Sequence, residues 1–303
     1  MNQINHTAEA YVDSNGIRIA YDTFGNPAHR PVILIHGLNM QMVAWESDFC
    51  QALADQKNYV IRFDNRDVGH STWCSEFGIP DLSEFMQNAV QGKPMNAPYT
   101  LKDMAEDTIG LLDGLGIEKA HVAGVSMGGM IAQTMAIYYP DRLSSMTSMM
   151  STTGEPSLPG PTPEAQEVLF TPPPEERQAY IDFQVKVSQV LSGEGVHIDL
   201  DKVRSREAMF YDRGVNPAAS IRQLAAIIAS GNRRPLLEKV RVPALVIHGD
   251  IDPLVPLACG QDTADAIPGA KMRVIKGMGH NLDVLPQVWE EVIDAIQQHI
   301  EWT

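Results

Sequence analysis

The chain has 303 residues, with 23 Lys and Arg against 38 Asp and Glu, for a formal charge of −15. A surface this acidic repels nucleic acid and anionic membranes, and no cluster of Lys or Arg offers phosphate contacts, so neither is an expected partner. A chain of this length buries roughly 75% of its unfolded surface, enough for a substantial core.

The opening MNQINHTAEA has neither a basic start nor an apolar stretch, and it does not read as a secretory signal peptide. The apolar runs at 32–35 and 244–247 fall far short of the roughly 20 residues of a membrane span. Three widely separated cysteines, Cys50, Cys74 and Cys259, show no zinc or disulfide spacing. A soluble protein of the reducing cytoplasm is expected.

From residue 8 to about 153, short β-rich runs at 8–12, 17–21, 32–35, 60–63, 120–125 and 143–150 alternate with longer amphipathic segments. Several runs are apolar throughout, which suits strands of a mostly parallel sheet covered by helices on both faces. The first two flank Ser14-Asn15-Gly16, a turn of the length that joins antiparallel hairpin strands. Thr100 is the expected N-cap of a helix carrying Leu101, Met104, Ile109, Leu111 and Leu112, with Gly114 and Gly116 as its stop.

After residue 153 the texture changes. Pro156, Pro159, Pro161, Pro163 and the triplet at 172–174 are expected to break any regular element. Residues 175–235 are helix-prone and strand-poor, and strand-helix alternation resumes at 243–247 and 272–275, with a closing helix at about 286–302. The organisation is therefore a core of 1–154 and 236–303 with a helical insertion at 155–235. No internal repeat is visible.

The central chemical signal is Gly124-Val125-Ser126-Met127-Gly128-Gly129, between the run 120–125 and the helical stretch 130–139. A serine at such a strand-to-helix turn is held in a strained conformation with its hydroxyl projecting, and small residues two before and two after it let backbone approach. The helix opening at Met127 points its N-terminal amides at the same spot, where an oxyanion would be stabilised. A glycine turn with an incidental serine is the competing interpretation, and partners decide between them.

A serine hydroxyl needs a base, and the base needs an orienting carboxylate. Of nine histidines, His280 stands out in the flexible loop Gly277-Met278-Gly279-His280-Asn281, between the run ending near Ile275 and the last helix. Upstream, Ile247-His248-Gly249-Asp250-Ile251-Asp252-Pro253 ends another strand with two carboxylates. Asp252 is preferred because it lies further out on the loop, whereas Asp250 directly follows Gly249 and is placed for local turn or cap bonds.

The order Ser126, Asp252, His280 resembles the α/β-hydrolase superfamily over nearly the whole chain. His36-Gly37-Leu38 is similar to that family's oxyanion loop, and residues 64–71, DNRDVGHS, to its D-x-R-G-x-G-x-S loop. Asp67 stands where the family usually has Gly, which implies a changed backbone path there. The R-D-x-G variant, the S-M-G-G elbow and D-R-L-S-S at 141–145 most resemble the group that includes aclacinomycin methylesterase. The resemblance implies an α/β-hydrolase fold and oxyanion donors at the amides of Leu38 and Met127. It also implies structural roles for His36, His70 and Ser71.

The expected reaction is hydrolysis of a small to medium, largely apolar carboxylic ester through an acyl-enzyme. Carbon–carbon bond hydrolysis, cofactor-free perhydrolysis and a noncatalytic ligand receptor use the same constellation and stay open. No H-E-x-x-H, Cys-pair or Walker sequence occurs, so no cofactor or metal is expected. Asp103 and Asp107, four apart on a helix, are expected on a solvated face. Cys50 and Cys74 are expected to be incidental thiols. The methionines near the pocket, among them Met40, Met42, Met130, Met149 and Met150, are expected to fill core or line a soft apolar pocket.

Overall fold

The computed structural model describes residues 6–93, 95–282 and 286–303. Its elements in chain order are β1 (Ala10–Ser14), β2 (Ile17–Phe24), β3 (Arg30–Ile35), α1 (Ser47–Asp55), β4 (Asn58–Phe63), α2 (Leu82–Val90), α3 (Leu101–Gly114), β5 (Ala120–Val125), α4 (Met127–Tyr138) and β6 (Leu143–Met149). They continue with α5 (Pro163–Phe170), α6 (Arg177–Leu191), α7 (Leu200–Arg213), α8 (Pro217–Ser230), α9 (Arg234–Leu237), β7 (Ala244–Gly249), α10 (Leu257–Ala266), β8 (Lys271–Ile275) and α11 (Pro286–Trp302).

The eight strands form one sheet in the order β1-β2-β4-β3-β5-β6-β7-β8. The β1–β2 and β2–β4 pairs are antiparallel and the rest are parallel. Ser14 pairs with Ile17 across a two-residue loop in which Asn15 and Gly16 take φ of 47° and 79°, the primed turn whose twist suits a hairpin. The central strand β5 is buried along its whole length, as a mostly apolar run in a doubly covered sheet must be.

Alternation sorts side chains to the two faces. Ile33, Ile35 and Val122 join Leu101, Leu111 and Ile131 in one core, under α3 and α4, while Val32, Leu34, Ala123 and Val125 join Phe49, Leu53, Val292 and Ile296 in the other, under α1 and α11. Thr100 caps α3, and Asp103 reciprocates by accepting from the Thr100 amide at 2.7 Å, a complete capping box. Every parallel strand therefore ends at the same rim, and the loops that follow β3, β5, β7 and β8 converge there.

Two sequence expectations need correction. Asp107 does not face solvent: it is buried, and Arg66 Nε and Nη2 each donate to it at 2.6 Å. A helix carboxylate can turn inward when a long guanidinium from another loop meets it there. Nor does the proline-rich stretch exclude regular structure, for Pro163 opens α5 behind the N-cap Thr162. Proline lacks only an amide that the first helical turn would leave unpaired in any case.

Between β6 and β7 the described chain makes no strand; α5 to α8 lie there and cover the sheet's rim. Two ion pairs, the second of them buried on both sides, tie these helices to the loop after β4. Asp64 receives Arg213 Nη2 at 2.7 Å, and Asp67 receives Arg222 Nε and Nη2 at 2.8 and 2.7 Å. Asp67 stands at φ 71°, in the left-handed region that glycine enters freely. Its carboxylate also accepts from the Cys74 amide at 2.7 Å and the Tyr99 hydroxyl at 2.6 Å, so a side chain that glycine lacks joins the loop to α8.

Candidate active site

Ser126 connects β5 to α4 at φ 54°, ψ −118°, a strained conformation for a residue with a Cβ. The turn is this sharp because backbone passes where side chains would otherwise be. A Cβ on Gly124 would overlap the Gly128 carbonyl, and one on Gly128 would overlap the Ile35 carbonyl. The Ser126 amide donates to Met149 O at 2.9 Å, and Ser151 Oγ donates to Ser126 O at 2.8 Å, so the strained residue is held on both sides.

His280 comes from the loop after β8. Its Nε2 lies 3.0 Å from Ser126 Oγ and its Nδ1 2.7 Å from Asp252 Oδ2. The other Asp252 oxygen accepts the amides of Leu254 and Val255 at 2.9 and 2.8 Å, leaving Oδ2 to the imidazole. With a carboxylate on Nδ1, that nitrogen carries the proton and Nε2 faces the serine as an acceptor. Asp250 points elsewhere, accepting the Gly277 amide at 2.6 Å in the turn beyond β8. The three side chains named from sequence order thus form one hydrogen-bonded chain.

Leu38 lies on the loop after β3. The amides beside it are taken: Gly37 donates to His36 Nδ1 at 2.8 Å, and Asn39, at φ 56°, donates to Gln223 Oε1 at 2.7 Å. The Leu38 amide has no partner among the described residues. Met127 opens α4, where first-turn amides lack a partner within the helix. Both residues line the same cavity as Ser126 and His280.

Burial first, then the nearby Arg206 guanidinium, push the His36 imidazole down to about 3, which keeps it neutral and able to accept from the Gly37 amide. Ser71 packs the loop by donating to Asp64 O at 2.6 Å, and the His70 ring bridges Glu9 and Arg213 O at the surface. Burial raises the Cys50 thiol to about 12 and Cys74 to about 11, so both stay protonated and poorly nucleophilic. Among the described residues, no group of three or more His, Cys, Asp or Glu could hold a metal.

The cavity above Ser126 measures about 310 Å³. Its floor is Leu38, Met127, Met130 and Met150, and its roof includes Tyr180, Phe183, Val187, Phe210 and Leu224 from α6, α7 and α8. The insertion also reaches the histidine loop. Leu191 O accepts the His280 amide at 2.7 Å, and Asn281 Nδ2 donates to Ser188 O at 2.9 Å.

Sequence reasoning missed several supporting residues. Gln223 holds the Leu38 loop, Arg222 and Arg213 anchor the insertion, and His248 is fully buried with Nε2 donating to Val255 O at 2.7 Å beneath Asp252. His248 lies within the stretch 247–253 that carries Asp252. The other three stand in ordinary helical sequence and carried no signal.

A strained serine between strand and helix, backed by histidine and aspartate from later strand ends, defines a hydrolase-type site on a doubly wound sheet. The chain belongs to the family described as alpha/beta hydrolase fold, whose profile matches residues 30–282. It is 28% identical to rhodomycin D methylesterase DnrP of Streptomyces peucetius, over 95% of this chain and 96% of that one. It is 24% identical to 3-oxoadipate enol-lactonase 2 of Acinetobacter baylyi, over 93% and 94%. Among solved structures, a meta-cleavage product hydrolase from Pseudomonas fluorescens superposes with a TM-score of 0.73 at 21% identity, covering 97% of each chain. That last likeness concerns the fold alone.

Proposed function

We propose that the protein is a serine carboxylic-ester hydrolase working through an acyl-enzyme, with Ser126 as nucleophile, His280 as general base and Asp252 as its orienting carboxylate. The observation that carries this reading is the unbroken chain Asp252–His280–Ser126, at 2.7 and 3.0 Å, opening on an apolar cavity. Relatives named as a methylesterase and an enol-lactonase support ester chemistry.

His280 Nε2 removes the Ser126 proton as Oγ attacks the ester carbonyl carbon, and the carbonyl oxygen becomes an oxyanion facing the Leu38 and Met127 amides. Losing one such donor costs about 3 kcal/mol of barrier. Asp252 keeps the proton on Nδ1 and stabilises the imidazolium. Collapse breaks the bond to the leaving alkoxide, which takes the proton from Nε2. Water then enters, gives its proton to His280 and releases the acid, restoring the serine.

Residues 155–235 act as a cap that selects substrate. Tyr180, Phe183 and Phe210 in the roof favour an acyl group of one or two rings, or a comparable apolar chain, over a charged one. No described helix is long and apolar enough to cross a membrane, and the free, buried thiols of Cys50, Cys74 and Cys259 support a cytoplasmic location.

A fluorophosphonate probe should label Ser126, and Ser126→Ala should lose both labelling and hydrolysis of aryl and methyl esters. Folded protein that resists the probe and turns over no ester sinks the reading. Diketone-type substrates and peroxide with acetate belong in the same panel, because the same three side chains serve carbon–carbon hydrolysis and perhydrolysis.

A further inference from the structure

One wall of the cavity is not apolar. Arg206 and Glu207 of α7 both line it, and Glu207 is only 4% exposed. Arg206 Nε and Nη2 donate to the same carboxylate oxygen, Glu207 Oε1, at 2.9 and 2.8 Å, and Nη2 also reaches Ser188 Oγ at 3.2 Å. The second oxygen, Oε2, has no partner among the described residues. Its residue lines the cavity beside Ser126.

A carboxylate oxygen removed from bulk water and left unpaired costs free energy until a donor meets it. Burial raises the Glu207 carboxyl above its usual range, and the adjoining Arg206 guanidinium limits that rise. The rest of the roof is mostly apolar, with Thr171, Gln184 and Ser220 as its other neutral polar side chains besides the Tyr180 hydroxyl, and Oε2 is the carboxylate oxygen placed to discriminate between otherwise similar ligands.

We propose that Glu207 Oε2 is a recognition point for a neutral hydroxyl on the ester substrate, carried on its ring or chain away from the ester carbonyl. This deepens the esterase reading and rests on it for the identity of the ligand. A hydroxyl fits better than an ammonium, since Arg206 already supplies one positive charge to the same carboxylate and would repel a second. Arg206 is a positioning residue that fixes the Glu207 carboxylate. A site built to pair a buried acceptor with a substrate hydroxyl rejects the analogue that cannot donate.

The test uses methyl naphthoates bearing one hydroxyl at ring positions remote from the ester, each against its methoxy and unsubstituted counterparts. At least one hydroxyl isomer should exceed both counterparts by about tenfold in kcat/KM. Removing both charges, as Arg206→Met with Glu207→Leu, should bring that ratio within about twofold of unity. Should the double variant fail to fold, Glu207→Gln decides. Its amide can turn a donor to the methoxy oxygen as readily as it accepts from a hydroxyl, and the ratio should fall at least about threefold.

Equal rates for every isomer pair in the wild type, or a ratio that survives these substitutions, overturns the proposal. Calorimetric binding of the same compounds to Ser126→Ala separates the two readings. A hydroxyl preference in binding without turnover by the wild type leaves Glu207 recognition standing and removes the esterase. Turnover without any hydroxyl preference does the reverse.

Discussion

The cavity's floor and roof are built by different physics. The floor is backbone: Ser126 at φ 54°, the close approaches at Gly124 and Gly128, and loops that leave parallel strands at a common rim. The roof is side chain: apolar faces of α6 to α8, held down by the charge pairs Asp64–Arg213 and Asp67–Arg222 and by Gln223 on the Leu38 loop. A reacting group must be fixed to within tenths of an ångström, which sheet register and a strained turn provide. A roof needs only to be attached and shaped, so its sequence is freer to change with substrate.

Four substitutions break that contrast, in falling order of expected effect. Asp252→Asn should lower kcat by about 10⁴-fold with the fold intact, because the imidazole tautomer is lost. Asp250→Asn, which removes a turn bond to Gly277, should leave steady-state rates nearly unchanged. A large loss at Asp250 instead would reassign the acid.

On the roof side, Asp67→Asn strands the Arg222 guanidinium in a site where it is 1% exposed and should destabilise by about 3–5 kcal/mol, read from the urea midpoint. The exposed Arg177–Asp212 pair on the same insertion is the control, and Arg177→Ala should shift that midpoint little. If the two variants behave alike, the insertion is not anchored through the loop after β4.

Gln223→Leu tests the link from the roof to the Leu38 loop. It frees the Asn39 amide beside Leu38 and should lower kcat about tenfold with KM little changed, since the interaction matters most when the oxyanion forms. A change confined to KM would make the link one of substrate binding.

The smallest effect at neutral pH belongs to the sheet alone. Burial, with a lesser push from Arg30, lowers the His121 imidazole from 6.5 to about 4. Between those values the unfolded chain binds a proton that the folded chain refuses, so stability rises with pH across that window and falls as pH drops. His121→Gln should flatten the dependence by about 1 kcal/mol per pH unit between pH 6.5 and 4, measured by denaturant titration at each pH. An unchanged slope would mean that His121 is not held neutral by the fold.

Much of this was legible along the chain. The run 120–125 matches β5 residue for residue, Thr100 caps α3, and Ser126, Asp252 and His280 are the residues that meet at the rim. The inward turn of Asp107, α5 behind its proline and the roof anchors were not legible. A solvated and a buried helix carboxylate have the same local sequence, and Arg66, which decides between them, is 41 positions away.

Alternation, capping and turn chemistry act between neighbours in the polymer, so the sequence by itself determined the order of strands and helices and the side chains able to pass a proton. Folding alone decided that Arg222 would meet Asp67 across 155 positions and that Glu207 would line the cavity beside Ser126. The partner of a buried charge is chosen by which surfaces pack together, and no local pattern records that choice.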